Sequence, residues 1–114
     1  MSRSRLAERY VDEGMQMDEY PGIVFRGGPA GRRASLAGGP DVWEVMQAIR
    51  SSPVRGEAAI AATAELIGLP ETQVRIAVRY YATYPDAIDE RIARHVEEAD
   101  ADEAAWRREQ AALA

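Results

Sequence analysis

The stretch EAAIAATAELIGLPETQVRIAVRYYATY, residues 57–84, decides the fold of this 114-residue chain. Two helical patterns flank a tight turn at Gly68-Leu69-Pro70. Glycine suits the left-handed position after a helix, and proline suits the first turn of the next helix. Apolar residues of the second helix recur at helical spacing, at Val74, Ala77, Val78 and Tyr81. The stretch therefore predicts a helix-turn-helix, a pattern that it shares with plain helical hairpins.

The face of the second helix opposite Val74 carries side chains that suit a nucleic-acid groove. Arginine bonds guanine edges or phosphates, and glutamine bonds adenine. At about 100° per residue, the side chains expected to face or flank the DNA are Thr72, Gln73, Arg75, Ile76, Arg79 and Tyr80. The alternative is an ordinary solvated helix face, so the pattern leaves both interpretations open.

Two short stretches upstream predict a β-hairpin. Residues 23–26 and 32–36 flank a loop rich in glycine and proline, residues 27–31. This loop lacks the spacing and the lysine of a phosphate-binding loop, so a plain turn is the better interpretation. We expect Arg26, Arg32 and Arg33 on the hairpin to add phosphate contacts. The competing interpretation is a strand edge that these charges protect against strand addition.

Two more helices are predicted before residue 57. One runs from Ser4 to Met17, ahead of the chain break at Pro21-Gly22. The other runs from Val42 to Arg50, and Asp41 with Glu44 forms a capping-box pair at its start. Apolar residues of this second helix share one face, which indicates a core position.

The net charge of −5 is confined to the last quarter of the chain. Residues 1–85 hold 10 arginines and 10 acidic residues, whereas residues 86–114 hold 4 arginines and 9 acidic residues. An acidic tail is repelled by phosphates and suits a basic partner protein. The alternative is a solvated helix.

The tail itself predicts a helix with one apolar seam. Asp86 follows Pro85 and caps it, and Glu103 and Gln110 interrupt the seam. We expect Trp106 to anchor a partner protein, because buried tryptophan often dominates interface energy. The expected partner-binding residues are Ile92, Val96, Ala99, Trp106 and Leu113. The alternative is packing on the protein's own core or on a twin subunit.

Composition excludes several function classes. The absence of cysteine removes disulfides, thiolate metal sites and thiol nucleophiles, and the single histidine, His95, removes a two-histidine metal site. Adjacent carboxylates such as Glu97-Glu98 lack the buried setting of an acid–base pair. We therefore expect no catalytic residues, no metal and no cofactor. With no secretory signal and no long apolar run, we expect a cytoplasmic protein that does not enter membranes.

From Pro21 to Tyr84 the chain resembles the domain of unknown function family 433, small bacterial proteins similar to VapB-type antitoxins. The resemblance is carried by the hairpin, by Gly38-Gly39-Pro40 leading into DVWEV, and by the helix VRIAVRYY. It implies a mainly α fold with a homeodomain-like three-helix core after the hairpin. It also implies pairing with a PIN-like ribonuclease toxin. Many members have Gly-Thr-Arg where this chain has Gly38-Gly39-Pro40.

Together these features predict three segments: an N-terminal helix (1–20), a hairpin plus helix-turn-helix domain (21–85) and a long acidic C-terminal helix (86–114). We expect an antitoxin-like protein that binds DNA at its own promoter and neutralises a PIN-like toxin through the tail. A homodimer is expected, since one helix-turn-helix reads only one half-site. The alternative is a helix-turn-helix-shaped adaptor without nucleic-acid binding, which the neutrality of residues 1–85 favours.

Overall fold

The computed structural model describes residues 3–29 and 31–114, and these residues form a mainly helical protein with one antiparallel pair of strands. In chain order the elements are α1 (Arg3–Glu19), β1 (Ile23–Arg26), β2 (Arg33–Leu36), α2 (Val42–Arg50), α3 (Glu57–Ile67), α4 (Glu71–Thr83) and α5 (Pro85–Leu113). The predicted hairpin is confirmed, and each predicted helix is present. The last helix begins at Pro85, so Asp86 lies in its first turn and the prediction that Asp86 caps it is wrong. The N-terminal helix continues two residues past Met17 and ends at Glu19.

The hairpin packs one end of its strands into the core. Ile23 pairs with Leu36, and both are buried. At the other end Arg26 pairs with Arg33. The Arg26 guanidinium then donates to the carbonyls of Leu36 and Gly39, at 3.1 and 2.9 Å. Arg26 therefore fastens the hairpin to the turn that leads into α2.

The turn between α3 and α4 forms as the sequence predicts. Gly68 adopts a left-handed conformation with φ 81°, and its N–H donates to the Ala64 carbonyl at 2.9 Å. Leu69 donates to the same carbonyl at 3.0 Å, and α4 begins after Pro70. Val74 is fully buried, as the pattern required. The two helices therefore meet at a tight turn with Val74 sealed between them.

The core is built mainly on α2, which contacts α3, α4 and α5. Asp41 and Glu44 form the predicted capping box, and the Asp41 N–H donates to Glu44 Oε1 at 3.2 Å. Val42 and Val45 are completely buried on the inner face of α2. Ile88 from the start of α5 enters the same core. The first turns of α5 thus pack against α2 and α4 rather than apart from them.

The ends of the molecule extend beyond this core. Its principal extents are 56 × 43 × 21 Å and its radius of gyration is 17.0 Å. A compact domain of this length has a radius of gyration of about 13 Å. The excess comes from α1, which exposes Val11 and Met15, and from α5, whose residues beyond His95 are almost all exposed.

Candidate functional site

The open face of α4 is narrower than the sequence predicts. Thr72 and Arg79 are exposed, and Arg75 is half-buried beside them. Val74 and Ala77 lie on the opposite side with no exposed surface. The predicted orientation of Val74 and of the arginines is therefore observed, and it leaves these three polar side chains facing outward.

Tyr80 does not flank the outward face, so this part of the prediction is wrong. Its side chain is only 4% exposed, and its hydroxyl donates to Gln16 Oε1 at 2.7 Å. Its ring meets that of Tyr20 edge to face at 5.7 Å. Burial, with smaller contributions from Tyr84 and Glu13, raises the pKa of Tyr80 to about 12. The reason is that side chains from the end of α1 and from the turn after it, Gln16 and Tyr20, cover this flank of α4, which the pattern of α4 alone does not reveal.

Ile76 is also covered, although it was expected on the outward face. It is half-buried against the core, beneath the turn that follows α1. A Cβ atom at Gly22 in that turn would lie 3.1 Å from Ile76 Cδ1. Gln73, on the same side as Tyr80, is half-buried as well. Beside them, Tyr20 and Thr83 hydrogen-bond through their hydroxyls. Residues of the turn after α1, Tyr20 and Gly22, therefore contact this side of α4.

Arg75 is held in an ion pair on the surface. Its two terminal nitrogens donate to the two carboxylate oxygens of Glu57, with 3.1 Å between Nη1 and Oε1. The hydrogen bond and the charge of Arg75 lower the pKa of Glu57, and Glu57 in turn raises the pKa of Arg75. Because the Glu57 side chain is 75% exposed, water screens this pair strongly. The pair therefore contributes little to the stability of the fold.

The hairpin arginines are engaged with carboxylates of the protein itself. Arg32 Nε donates to both oxygens of Glu13 in α1, at 2.8 and 2.7 Å. Arg33 Nε donates to Asp41 Oδ2 at 2.5 Å. Glu13 and Asp41 are each 7% exposed. Both arginines therefore fasten the hairpin to its neighbours, a role that neither the phosphate interpretation nor the protected-edge interpretation included.

Asp41 is the centre of a buried polar cluster. Besides Arg33, it accepts from Ser35 Oγ at 2.5 Å and from Trp43 Nε1 at 3.2 Å. Burial opposes its ionisation, but the hydrogen bonds from Ser35, Arg33 and Trp43 outweigh burial and hold the pKa of Asp41 below its ordinary value. Asp41 is therefore a carboxylate that joins the hairpin to α2.

The structure also brings together four arginines that the sequence pattern did not connect. Arg32 and Arg33 of the hairpin face Arg91 and Arg94 of α5 across a cleft of about 120 Å³. This cleft forms between residues that are far apart in the sequence, so the pattern within one segment does not predict it. The spacing of Arg91 and Arg94 alone indicates only a solvated helix face.

Four of the five expected partner-binding residues lie on the exposed length of α5. Val96, Ala99, Trp106 and Leu113 are exposed, with Trp106 at 59%. Ile92 is 7% exposed and packs in the core, so its assignment to a partner surface is wrong. The reason is that the first turns of α5 lie against α2, which uses the apolar seam at this end.

Residues 96–114, here called the distal helix, carry six acidic residues and two arginines. One ion pair within it joins Arg107 Nη2 to Glu103 Oε1 at 2.6 Å, one turn apart. Both of these side chains are more than half exposed. The distal helix is therefore an acidic surface with one large exposed aromatic side chain.

Within the part of the chain that the structure describes, no group of histidine, cysteine and acidic residues is arranged to hold a metal ion, and no helix has the length and apolarity needed to span a membrane. His95 instead stacks at a tilt on Trp43, with 5.0 Å between ring centroids. Comparison of the chain with protein-family models, curated proteins and solved structures gave no significant match. The resemblance to the antitoxin-like family stays a prediction.

Proposed function

We propose that this protein is an antitoxin-like regulator with two binding surfaces: α4 contacts DNA at its own promoter, and the distal helix captures a PIN-like toxin. The observation that carries the proposal is the physical separation of the two surfaces. Arg75 and Arg79 lie on the outward face of α4, which packs against α2, α3 and the hairpin. Trp106 lies on the distal helix, whose residues are almost all exposed beyond the core.

In this proposal α2, α3 and α4 are a homeodomain-like unit with α4 as the recognition helix. The tight turn at Gly68 and the buried Val74 support it, because a helix-turn-helix requires a close crossing at this point. Two copies present two recognition helices to a two-fold operator, with half-sites about 34 Å apart. A homodimer is therefore part of the proposal.

The charge of the distal helix supports capture of a protein rather than of nucleic acid. Its two arginines and six carboxylates give 2 − 6 = −4. Such a surface is repelled by phosphates and attracted by a basic groove. Trp106 supplies the large apolar contact that anchors helix-in-groove complexes.

Capture is tested with two alanine variants of the full chain and a PIN-like toxin encoded beside this gene. Trp106→Ala is expected to weaken binding at least tenfold and to abolish rescue of growth on co-expression. Leu66→Ala removes an apolar side chain that is 78% exposed on α3, and it serves as the matched control. Equal rescue by both variants contradicts the assignment of Trp106.

DNA contact is tested by mobility shift of the promoter fragment at several salt concentrations. Arg79→Gln is expected to weaken binding and to reduce the slope of log affinity against log salt by about 1, as for one lost phosphate contact. Arg108→Gln makes the same charge change on the distal helix and is expected to leave the slope unchanged. The same slope for Arg79→Gln as for the unaltered protein contradicts a phosphate contact there.

A second function, an adaptor of protein interactions without DNA binding, is favoured by one observation. Arg32 and Arg33 are paired with buried carboxylates, and α1 covers one flank of α4. The surface that remains for DNA is then small. An absence of promoter shift at micromolar protein and low salt, with toxin capture retained, supports the adaptor instead.

A further inference from the structure

A cleft between the hairpin, α2 and the start of α5 is lined by four arginines around an apolar floor. Arg32, Arg33, Arg91 and Arg94 form its polar part. Phe25, Ile88 and Trp43 are among the residues of the floor. The cleft has a volume of about 120 Å³. For comparison, a dry apolar cavity of about 150 Å³ in another protein binds benzene.

The guanidinium groups keep unused donors at this cleft. Arg32 and Arg33 donate through Nε to Glu13 and Asp41, and their terminal nitrogens make no hydrogen bond among the described residues. Arg94 has no hydrogen-bond partner in the same part of the chain. An arginine presents five N–H donors in a planar fork, which matches the two oxygens of a carboxylate or a phosphate.

Arg91 gives an independent sign that a partner is missing. Its Nε atom is buried and has no hydrogen-bond partner within the described residues. Its Nη1 lies 3.9 Å from Glu98 Oε2, which is beyond hydrogen-bonding distance. Its guanidinium stacks over the Trp43 ring at 4.9 Å from the centroid, which holds it beside the floor. A buried unsatisfied donor is costly, and the same guanidinium lines the cleft, where its terminal nitrogens are the donors open to an acceptor.

The charges around the cleft leave room for one anion. Four guanidinium groups face Glu90, which also lines the cleft, and the carboxylates of Glu13 and Asp41 behind it. The balance is 4 − 3 = +1 for these groups, and 4 − 4 = 0 when Glu98, 3.9 Å from Arg91, is included. Glu98 is not among the lining residues, and its side chain is 64% exposed, so water screens its charge. The site therefore suits one anionic group attached to a small apolar group.

We infer that this cleft binds a small organic anion, a carboxylate or phosphate attached to an apolar group no larger than one ring. The anion accepts from Arg91 and Arg94, with the terminal nitrogens of Arg32 and Arg33 on the other side. The ring lies against the floor beside Trp43. This site is independent of the proposed function, because neither α4's open face nor the distal helix contributes to it.

The test follows the indole N–H signals of the full chain by NMR during titration. Trp43 lies at the cleft and Trp106 on the distal helix, so the second signal is an internal control; loss of one signal in Trp106→Phe assigns the two. Benzoate and phenyl phosphate are expected to shift the Trp43 signal saturably, with dissociation constants below about 1 mM. Benzamide and acetate, which lack the charge or the ring, are expected to bind at least tenfold more weakly.

Arg94→Gln is the decisive variant, because Arg94 is exposed and its replacement is expected to leave the fold intact. It is expected to weaken benzoate binding at least tenfold, whereas Arg108→Gln on the distal helix leaves binding unchanged. Arg91→Lys keeps the charge but loses the planar fork, and it is expected to weaken binding as well.

Three results would overturn the inference. The first is an absence of saturable shift at Trp43 with either ring anion. The second is equal binding of benzoate and benzamide, which would remove the role of charge. The third is saturation by a peptide of residues 96–114 without saturation by benzoate, which would assign the cleft to a second copy of this chain.

Discussion

Replacing Asp41 by asparagine tests the polar cluster that joins the hairpin to α2. Asparagine keeps the size of the side chain and one acceptor oxygen for Ser35. In the unaltered protein, Asp41 Oδ2 accepts hydrogen bonds from Arg33 Nε and Trp43 Nε1, at 2.5 and 3.2 Å. In the variant the amide nitrogen of asparagine takes the place of Oδ2 and cannot accept them. Two hydrogen bonds to a charged acceptor are lost, and a guanidinium is left without its carboxylate.

Hydrogen bonds to charged groups contribute about 1.5–3 kcal/mol each, and breaking a buried ion pair costs about 3–5 kcal/mol. Arg33 is 29% exposed, so water recovers part of that loss. We therefore expect Asp41→Asn to lower the free energy of unfolding by about 3 kcal/mol. With an unfolding entropy of about 2.1 cal/mol/K per residue, this change lowers Tm by about 12 °C in a chain of 114 residues.

Urea denaturation followed by circular dichroism measures this difference at several pH values. Because the folded-state pKa of Asp41 is lowered, its carboxylate stabilises the fold fully above its ordinary pKa, about 3.9. That contribution is lost as the pH falls through the lower folded-state pKa. The gap between the two proteins is therefore expected to narrow below about pH 4.

Asp102→Asn is the matched control, because Asp102 is exposed on the distal helix and its replacement is expected to change stability by less than about 0.5 kcal/mol. A gap for Asp41→Asn that is below about 1 kcal/mol, or that stays constant down to about pH 3, would refute the reasoning. The first result would mean that water replaces the lost bonds. The second would mean that the charge of Asp41 is not the cause.

Three further changes test the packing around α4. Val74→Ala is expected to lower the free energy of unfolding by about 2–3 kcal/mol, because a fully buried side chain leaves a cavity; the urea midpoint measures it. Gly22→Ala is expected to cost about 1–2 kcal/mol by the same measurement, because φ is 101° and the new Cβ meets Ile76. Tyr80→Phe is expected to cost about 1 kcal/mol through the lost hydrogen bond to Gln16. In an absorbance titration of the tyrosines, the variant is expected to lack the group that ionises near pH 12. Between pH 10 and about 12, its free energy of unfolding is expected to fall less than that of the unaltered protein, because the raised pKa of Tyr80 makes that protein lose stability as Tyr80 ionises.

Local signals carried most of the fold. Gly68 after an apolar face, and Asp41 three residues before Glu44, predict a helix end and a helix start from a few neighbouring residues. The alternation of Gly-rich and apolar stretches likewise predicts the hairpin. These features depend on backbone geometry that neighbouring residues determine, so the sequence is sufficient to locate them.

The candidate site was harder to predict because its residues are shared with distant segments. Tyr80 takes its place from a hydrogen bond to Gln16, 64 positions earlier in the chain. Arg32 takes its place from Glu13 in α1. The spacing of residues within α4 carries no information about the segments that pack on it, so it predicts that Tyr80 and Ile76 lie at the surface. The same limit hid the approach of Arg91 and Arg94 to the hairpin.

The charged side chains of the distal helix are used differently from those in the rest of the protein. In the body, arginines meet carboxylates from other elements, as in Arg32–Glu13, Arg33–Asp41 and Arg50–Asp89. These carboxylates hold the elements together and are costly to displace, so a ligand reaches Arg32 and Arg33 only through the terminal nitrogens that the ion pairs leave free. Among the residues that the structure describes, the carboxylates of the distal helix form ion pairs only with arginines of α5. Glu103 pairs with Arg107, and Glu98 pairs with Arg91. A partner that engages them therefore breaks no contact between elements, which is the condition for a binding surface that leaves the fold undisturbed.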